Sequence, residues 1–424
     1  MGCAASISGG GRRSNPGLVG PNPRVLPAVP GASAVSEREL GGRRQTMRHT
    51  PSLDTEPAQR LQSFALEMSK SGRLELTSIV SHAGSSQESG TLTKQHLPSL
   101  QQIPGVVFGM TKLLELNLRC NQITTIPKEI ALLRRLQVLN VSENRIAELP
   151  REIADLKALR LLDVAENCIK RLPDEIGNLA RLETLRANRN RLASLPNSIR
   201  KCVRLKALNL YNNAISNLGD GISELCELEE LNVSNNLLVF LPEVKRWKNL
   251  KALYLQVNRL LTLPTMDALC NLEIFTVQQN NLQAFPSMDT LVHLKKIDAN
   301  TNQIAEIPPC FEHMTSLAHL SLRKNLVTVF PAFLCRCKCL EIIDLGNNPL
   351  LPPVPVDLIL LPHLKTLLLD GGNITSVPIE LMGLQHVCRV NLGSRLLMDD
   401  QETCEVVIEL RAKCAQNGGW LKTG

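Results

Sequence analysis

The sequence predicts an α/β repeat protein: a curved solenoid with a parallel sheet on its concave face and short helical or irregular arms on its convex face. Three observations carry that expectation. An asparagine recurs at Asn121, Asn144, Asn167, Asn190, Asn213, Asn236, Asn258, Asn280, Asn302, Asn325 and Asn348, in steps of 23 residues shortening to 22 from Asn236 to Asn302, and Gly372 takes its place in a twelfth coil. Apolar residues sit at fixed offsets around each asparagine, so one spelling returns about a dozen times. Aromatic residues make up only 3 % of the chain, which suits a narrow wedge-shaped core filled by leucine.

The stretch Leu136–Leu156, LQVLNVSENRIAELPREIADL, shows what each position does. Leu136, Leu139 and Val141 alternate as a short strand would, and Ile146, Leu149, Ile153 and Leu156 form the returning arm. One such coil exposes an apolar edge, and stacking buries it against the next. The asparagine amide can satisfy backbone groups that the turn leaves unpaired, each costing ~1–3 kcal/mol if buried alone, which makes it structural rather than functional. Pro150 fixes φ and lacks an N–H, so it ends the extended run and opens the arm.

The run LLELNLRCNQI, Leu113 to Ile123, resembles the leucine-rich repeat family, and the Leu-Pro pairs at 149–150, 172–173 and 195–196 are similar to those of intracellular Ras-group proteins of that family. The resemblance covers Leu113 to about Leu397. It implies a non-catalytic protein-binding module.

The ends read differently from the repeats. Residues 1–54 are rich in Gly, Pro, Ser and Arg and have no aromatic, so they are expected to form a flexible tether. Met1-Gly2-Cys3-Ala4-Ala5-Ser6 fits an N-myristoylation pattern at Gly2, with Cys3 placed for palmitate. One acyl chain anchors marginally; a second chain and the seven arginines between Arg12 and Arg48 would make the hold stable. Residues 55–112 are expected to hold an amino-terminal cap helix and a first degenerate repeat with a polar insert at 81–94. Repeats then fill 113–397. Residues 398–424 are expected to form a closing helix, with Cys404, Ile408, Ala412 and Ala415 covering the last coil, and a tail.

Charge and cysteine usage bound the partners. The net charge is +7, of which residues 1–56 hold +3, so the repeat body is close to neutral and no nucleic-acid face is indicated. The odd count of 13 cysteines and the absence of a signal peptide point to a reducing cytosol, with Cys226 and Cys337 filling the core as Leu156 does. Cys335, Cys337 and Cys339 lack the partners of a tetrahedral metal site, with only Cys337 expected inside. No apolar run is long enough to span a bilayer. No cofactor is implied, nor a nucleophile, base and charge stabiliser converging in a cleft.

The expected working surface is the concave face. One row runs Asn117, Asn140, Asp163, Arg186, Asn209, Asn232, Tyr254, Thr276, Asp298, Ser321 and Asp344, and beside it lie Glu143, Glu166, Arg189, Tyr211, Gln256, Gln278, Asn300, Arg323 and Lys324. Tyr211 and Tyr254 are the only tyrosines, and exposed aromatics in mid-face suit a binding hot spot. Acidic Glu143, Asp163 and Glu166 give way to Arg186, Arg189 and Arg191, a sign change that would hold a partner in one register. Trp247 takes the core position of Leu156. The expected role is a cytoplasmic signalling scaffold or adaptor, peripheral on the cytosolic face of a membrane, with a small GTPase, kinase or phosphatase as the class of protein partner. The alternative is a regulatory subunit that inhibits or redirects a phosphatase or small GTPase.

Overall fold

The structure is a computed structural model that describes residues 72–76, 99–397 and 400–423. The chain divides into two units, Met1–Leu53 and Asp54–Gly424. The first lies outside the described residues, as do Gly2, Cys3, the expected helix before Gly72 and the 81–94 insert.

Among the described residues of the second unit, fifteen three-residue strands form one parallel sheet in sequence order. They are β1 Arg73–Glu75, β2 Glu115–Asn117, β3 Val138–Asn140, β4 Leu161–Asp163, β5 Thr184–Arg186, β6 Ala207–Asn209, β7 Glu230–Asn232 and β8 Ala252–Tyr254. The second half comprises β9 Ile274–Thr276, β10 Lys296–Asp298, β11 His319–Ser321, β12 Ile342–Asp344, β13 Thr366–Leu368, β14 Arg389–Asn391 and β15 Trp420–Lys422. Pairing is in register from coil to coil, Asn140 beside Asp163 and Tyr254 beside Thr276. The middle residue of each repeat strand, such as Leu139 or Leu253, is buried, and the first and third look out of the sheet.

The asparagine works as expected, and it also reaches back one coil. Asn144 Oδ1 accepts from the Ile123 N–H at 2.9 Å, while Nδ2 donates to the carbonyls of Leu118, Val141 and Ser142, each at 3.0 Å. The same pattern recurs at Asn167, Asn236 and Asn325, so buried amides tie neighbouring coils together along the stack. The residue before each asparagine has a left-handed backbone, whether it is Glu143, Val257 or Thr301. Gly371, at φ 79°, does the same before Gly372.

On the arm, Pro150 is followed by a single 3-10 turn, Arg151–Asp155, that buries Ile153. This turn is absent from the three described 22-residue coils between β7 and β10. There one residue is missing between the proline and the next apolar position, as Leu241-Pro242-Glu243-Val244 against Leu149-Pro150-Arg151-Glu152-Ile153 shows. Trp247 is buried as expected and its indole N–H donates to the Ile222 carbonyl at 3.1 Å.

Three expectations are corrected by the packing. Cys226 is exposed, because Leu225 occupies the position equivalent to Leu156; Cys202 is the cysteine that fills it one coil earlier. Cys335 is buried together with Cys337, since both lie on the inward side of the turn Ala332–Arg336 and its end, and only Cys339 is exposed. The closing helix Gln401–Gln416 buries Thr403, Val406, Val407, Leu410 and Cys414, while Ile408, Ala412 and Ala415 face outward. Two stripes with helical spacing coexist there, and the bulkier one is inside. Asp400 caps this helix by accepting from the Thr403 N–H at 3.0 Å. The terminal Trp420–Lys422 pairs with β14 as a strand, where the sequence suggested a tail.

Candidate interaction surface on the strand face

Three-residue strands give this surface its grain. The third residues of β2 to β12 form the expected row, and the first residues, Glu115, Val138, Leu161, Thr184, Ala207 and onward, form a second row that sequence reasoning passed over. The residues expected beside the row fall into two separate columns. Tyr211, Gln256, Gln278, Asn300 and Arg323 lie two positions after their strands, whereas Glu143, Glu166, Arg189 and Lys324 are the left-handed residues of the turn. Asp163, Thr276 and Ser321 lie in the row but are buried among their neighbours, so they present little surface.

Charge on this face is largely paired within the protein, so the acidic and basic coils expected to face a partner also face each other. Arg119 bonds to Glu143, Arg186 lies 3.6 Å from Asp163, and Arg189 lies 3.0 Å from Glu166. The Cys120 thiol donates to Glu143 at 2.7 Å, and this bond, with Arg119, holds the Glu143 carboxyl below its ordinary range against burial. Asp163 behaves oppositely: burial pushes its carboxyl up, outweighing the Ala165 N–H and Arg186.

At the other end Arg323 reaches across two coils. Its guanidinium donates to both oxygens of Asp370, at 3.0 and 2.6 Å, and approaches Asp344 at 3.5 Å. Gly346 makes the span possible, because a Cβ there would lie 2.4 Å from Arg323 Nη1. Asn300 accepts from the Arg323 N–H at 2.6 Å and the Ser321 hydroxyl at 2.7 Å. Asp370 and Gly346 were missed in the sequence, although a charge pair spaced by 47 residues, two coil lengths, is a readable signal. Burial, then Lys296, lowers the His319 imidazole.

Between these clusters the face from β6 to β9 carries amides, hydroxyls and the two tyrosines. Asn209 accepts from the Tyr211 N–H at 3.1 Å, and Asn232 accepts from the Ser234 N–H at the same distance. The Thr276 hydroxyl donates to Gln256 at 2.8 Å. Gln278 Oε1 is buried without a hydrogen-bond partner. Tyr211 packs under Arg189, whose guanidinium carbon is 6.0 Å from the ring centre. Tyr254 is half-buried, and burial, then Glu230, raises its phenol, keeping it a hydrogen-bond donor. Tyr211 and Tyr254 therefore stand in different columns of one surface rather than in a single row. Among the described residues no group of three His, Cys, Asp or Glu is placed to hold a metal.

Residues 105–190 and 152–273 match the family model of a leucine-rich repeat region. The chain carries a leucine-rich-repeat solenoid. Its similarity to a leucine-rich-repeat protein of Leptospira interrogans is 29 % identity over 73 % of this chain and 85 % of that one, with a TM-score of 0.64. A plant peptide hormone receptor, RGFR1 in complex with RGF2, is 28 % identical over 69 % of this chain and 50 % of the receptor, with a TM-score of 0.63. An internalin of Listeria monocytogenes shares the leucine-rich-repeat fold at 19 % identity, covering 70 % of this chain and 86 % of its own, with a TM-score of 0.61. No curated protein matches the chain. Leucine-rich-repeat solenoids are interaction modules as a class, and their typical members are non-catalytic.

Proposed function

We propose that the protein is a non-catalytic, membrane-tethered adaptor that holds a protein partner against the strand face between β6 and β9. One observation carries the reading: Asn209, Tyr211, Asn232, Tyr254, Gln256 and Gln278 form an almost uncharged patch between clusters whose charges are already paired. Amide side chains each offer a donor and an acceptor to a bound chain. The tyrosines add large contact area at low entropic cost. The similar plant peptide hormone receptor, in complex with RGF2, supports a peptide segment as the ligand. In this reading the tether is Gly2, Cys3 and the arginines after them, the resemblance of the Leu-Pro arms to Ras-group proteins supports a signalling role, and the partner class is a small GTPase, kinase or phosphatase.

The test is a quantitative pull-down of the partner found by proximity labelling in cells. Replacing Tyr211 and Tyr254 together by alanine should weaken capture about thirtyfold, the effect of losing a ~2 kcal/mol hot spot, with the thermal melt unchanged. Equal capture by the double variant would refute the strand-face site. Gly2→Ala should move the protein to the soluble fraction in high salt, where the wild-type chain stays on the membrane.

A further inference from the structure

The solenoid has a second ordered side that the reading above does not use. After each closing asparagine the chain runs extended, with side chains pointing out, in, out and out: Leu237 exposed, Leu238 buried, Val239 and Phe240 exposed. Backbone bonds align these stretches between coils. Arg145 donates to Ile123, Arg191 to Ile169, Leu237 to Ile215, Arg259 to Leu238 and Leu326 to Ile304, each at 2.8 or 2.9 Å. The outward residues therefore make one continuous flank beside the sheet.

This flank combines cations with large apolar side chains. Its first half carries Arg145, Lys170, Arg171 and Arg191, followed by Arg259, all exposed. The cations of the row before the strands, such as Lys251, have carboxylate partners; these five form no ion pair with a described carboxylate. The described outward positions hold two acids, Glu148 and Glu306. Among the cations rise large apolar side chains: Leu237, Val239, Phe240 and Leu261, with Val239 and Leu261 adjacent through a 3.3 Å backbone bond. Three coils further, Leu326, Val329 and Leu351 form a second group, Val329 being 69 % exposed and bridged to Leu351. Polar stretches before and between these groups, such as Ala214-Ser216-Asn217 and Asn281-Gln283-Ala284, keep them apart.

We propose that this flank docks on an anionic lipid bilayer, with Val239, Phe240 and Leu261 entering the boundary between headgroups and acyl chains and Arg145, Lys170, Arg171 and Arg191 lying on the headgroups. A protein partner would be matched by one compact patch. Here unpaired cations and separate apolar groups span ten coils, roughly 45 Å at the spacing of strands in a sheet, which a planar anionic surface can meet all at once. The proposal rests on the membrane part of the reading above and goes beyond it, because it places the repeats themselves against the bilayer and needs no acyl chain.

The experiment therefore removes the acyl chain. Full-length Gly2→Ala protein, made in a host lacking N-myristoyltransferase, is sedimented with phosphatidylcholine vesicles with or without 30 mol % phosphatidylserine. It should bind the phosphatidylserine vesicles and be released by salt. At ~1 kcal/mol per surface cation, K170E/R171E/R191E should lower the partition coefficient by at least about a hundredfold. F240S/L261S should lower it about tenfold or more with an unchanged melt, and F240W should show a blue-shifted emission on vesicles. Equal partition of the flank variants would assign binding to the arginines at 12–48 and overturn the proposal. Failure of the unacylated chain to bind while the acylated chain does would overturn it too, leaving the tether reading intact. Loss of self-association, rather than of vesicle binding, in F240S/L261S would assign the patch to a second copy and equally overturn it.

Discussion

Single residues divide into those whose identity announces their role and those whose backbone alone carries it. The closing asparagines belong to the first kind: a polar residue at a fixed offset inside an apolar pattern has to satisfy buried groups, and Asn144 does so four times. The left-handed residue before each belongs to the second. Cys120, Glu143, Arg189, Val257 and Thr301 share no property except the turn they occupy, so nothing in the sequence marks it. Val257 and Thr301 are the poorest fits, since a β-branched side chain at φ 58° or 57° crowds its own backbone. Asn212, Asn235 and Asn347 hold the same place in other coils. Val257→Asn should therefore raise stability by about 1 kcal/mol in urea denaturation. Asp163 tests burial against pairing. Its carboxyl is pushed up, so the folded chain binds its proton more tightly than the unfolded chain does, and stability from this group grows as pH falls through the folded value toward the unfolded one. Above that window the ionised form costs stability. Asp163→Asn keeps an oxygen for the Ala165 N–H, now 3.1 Å away, and should melt no lower than wild type at pH 7, with any advantage shrinking on acidification. A clear loss at pH 7 would show that the Arg186 pair outweighs burial.

At the scale of the coil, what was legible followed from phase. Counting twelve residues from Asn213 lands on Leu225, so the placement of Cys226 in the core was a slip of one position that the asparagine itself corrects. The missing turn of the 22-residue coils was equally implied by one absent residue. The pairing of charges was not seen, because it runs between coils at separations of 22 to 24 residues rather than along the chain. The column just before the strands shows it most fully: Arg160, Glu183, Lys206, Glu229, Lys251, Glu273 and Lys295 alternate in sign over seven successive coils. Glu229 sits 2.8 Å from Lys251 and 3.8 Å from Lys206. A slip of one coil would set like charges together, so the ladder favours one register even though each exposed pair is worth only ~0–1 kcal/mol. The Lys251 hydrogen bond holds the Glu229 carboxyl low, so its contribution is present above the unfolded value and disappears as pH falls through the folded one. Glu229→Gln should cost about 0.5–1 kcal/mol near pH 7 in low salt, and the difference from wild type should fade in molar salt or in acid. A difference insensitive to both would locate the effect in packing instead.

Over the whole described array the sheet has no sequence-distant pairings, and every strand from β1 to β15 meets only the coil before and the coil after. Stability in such a stack is a sum of coil terms and neighbour terms, and the ends are its weak points. The carboxyl end is covered by the helix Gln401–Gln416, whose Val406, Val407, Leu410 and Cys414 lie in the common core, and by β15. That a helix closes the array was legible from Asp400 and the first-turn acid; which of its faces would be inside was not, because two stripes share the helical period and only contact with the last coil chooses between them. Leu410 is 1 % exposed, so Leu410→Ala removes a fully buried side chain and should cost about 2–5 kcal/mol locally. If coils couple only to their neighbours, that loss stays near the end. Hydrogen exchange should then quicken across β13, β14 and β15, fade within a few coils, and leave the amides of β3 to β6 at wild-type rates. Uniform acceleration from β2 to β14 would mean instead that the array unfolds as one unit. A partner held between β6 and β9 would then respond to a change at the cap some six coils away, whereas in a nearest-neighbour stack its affinity should be untouched by Leu410→Ala.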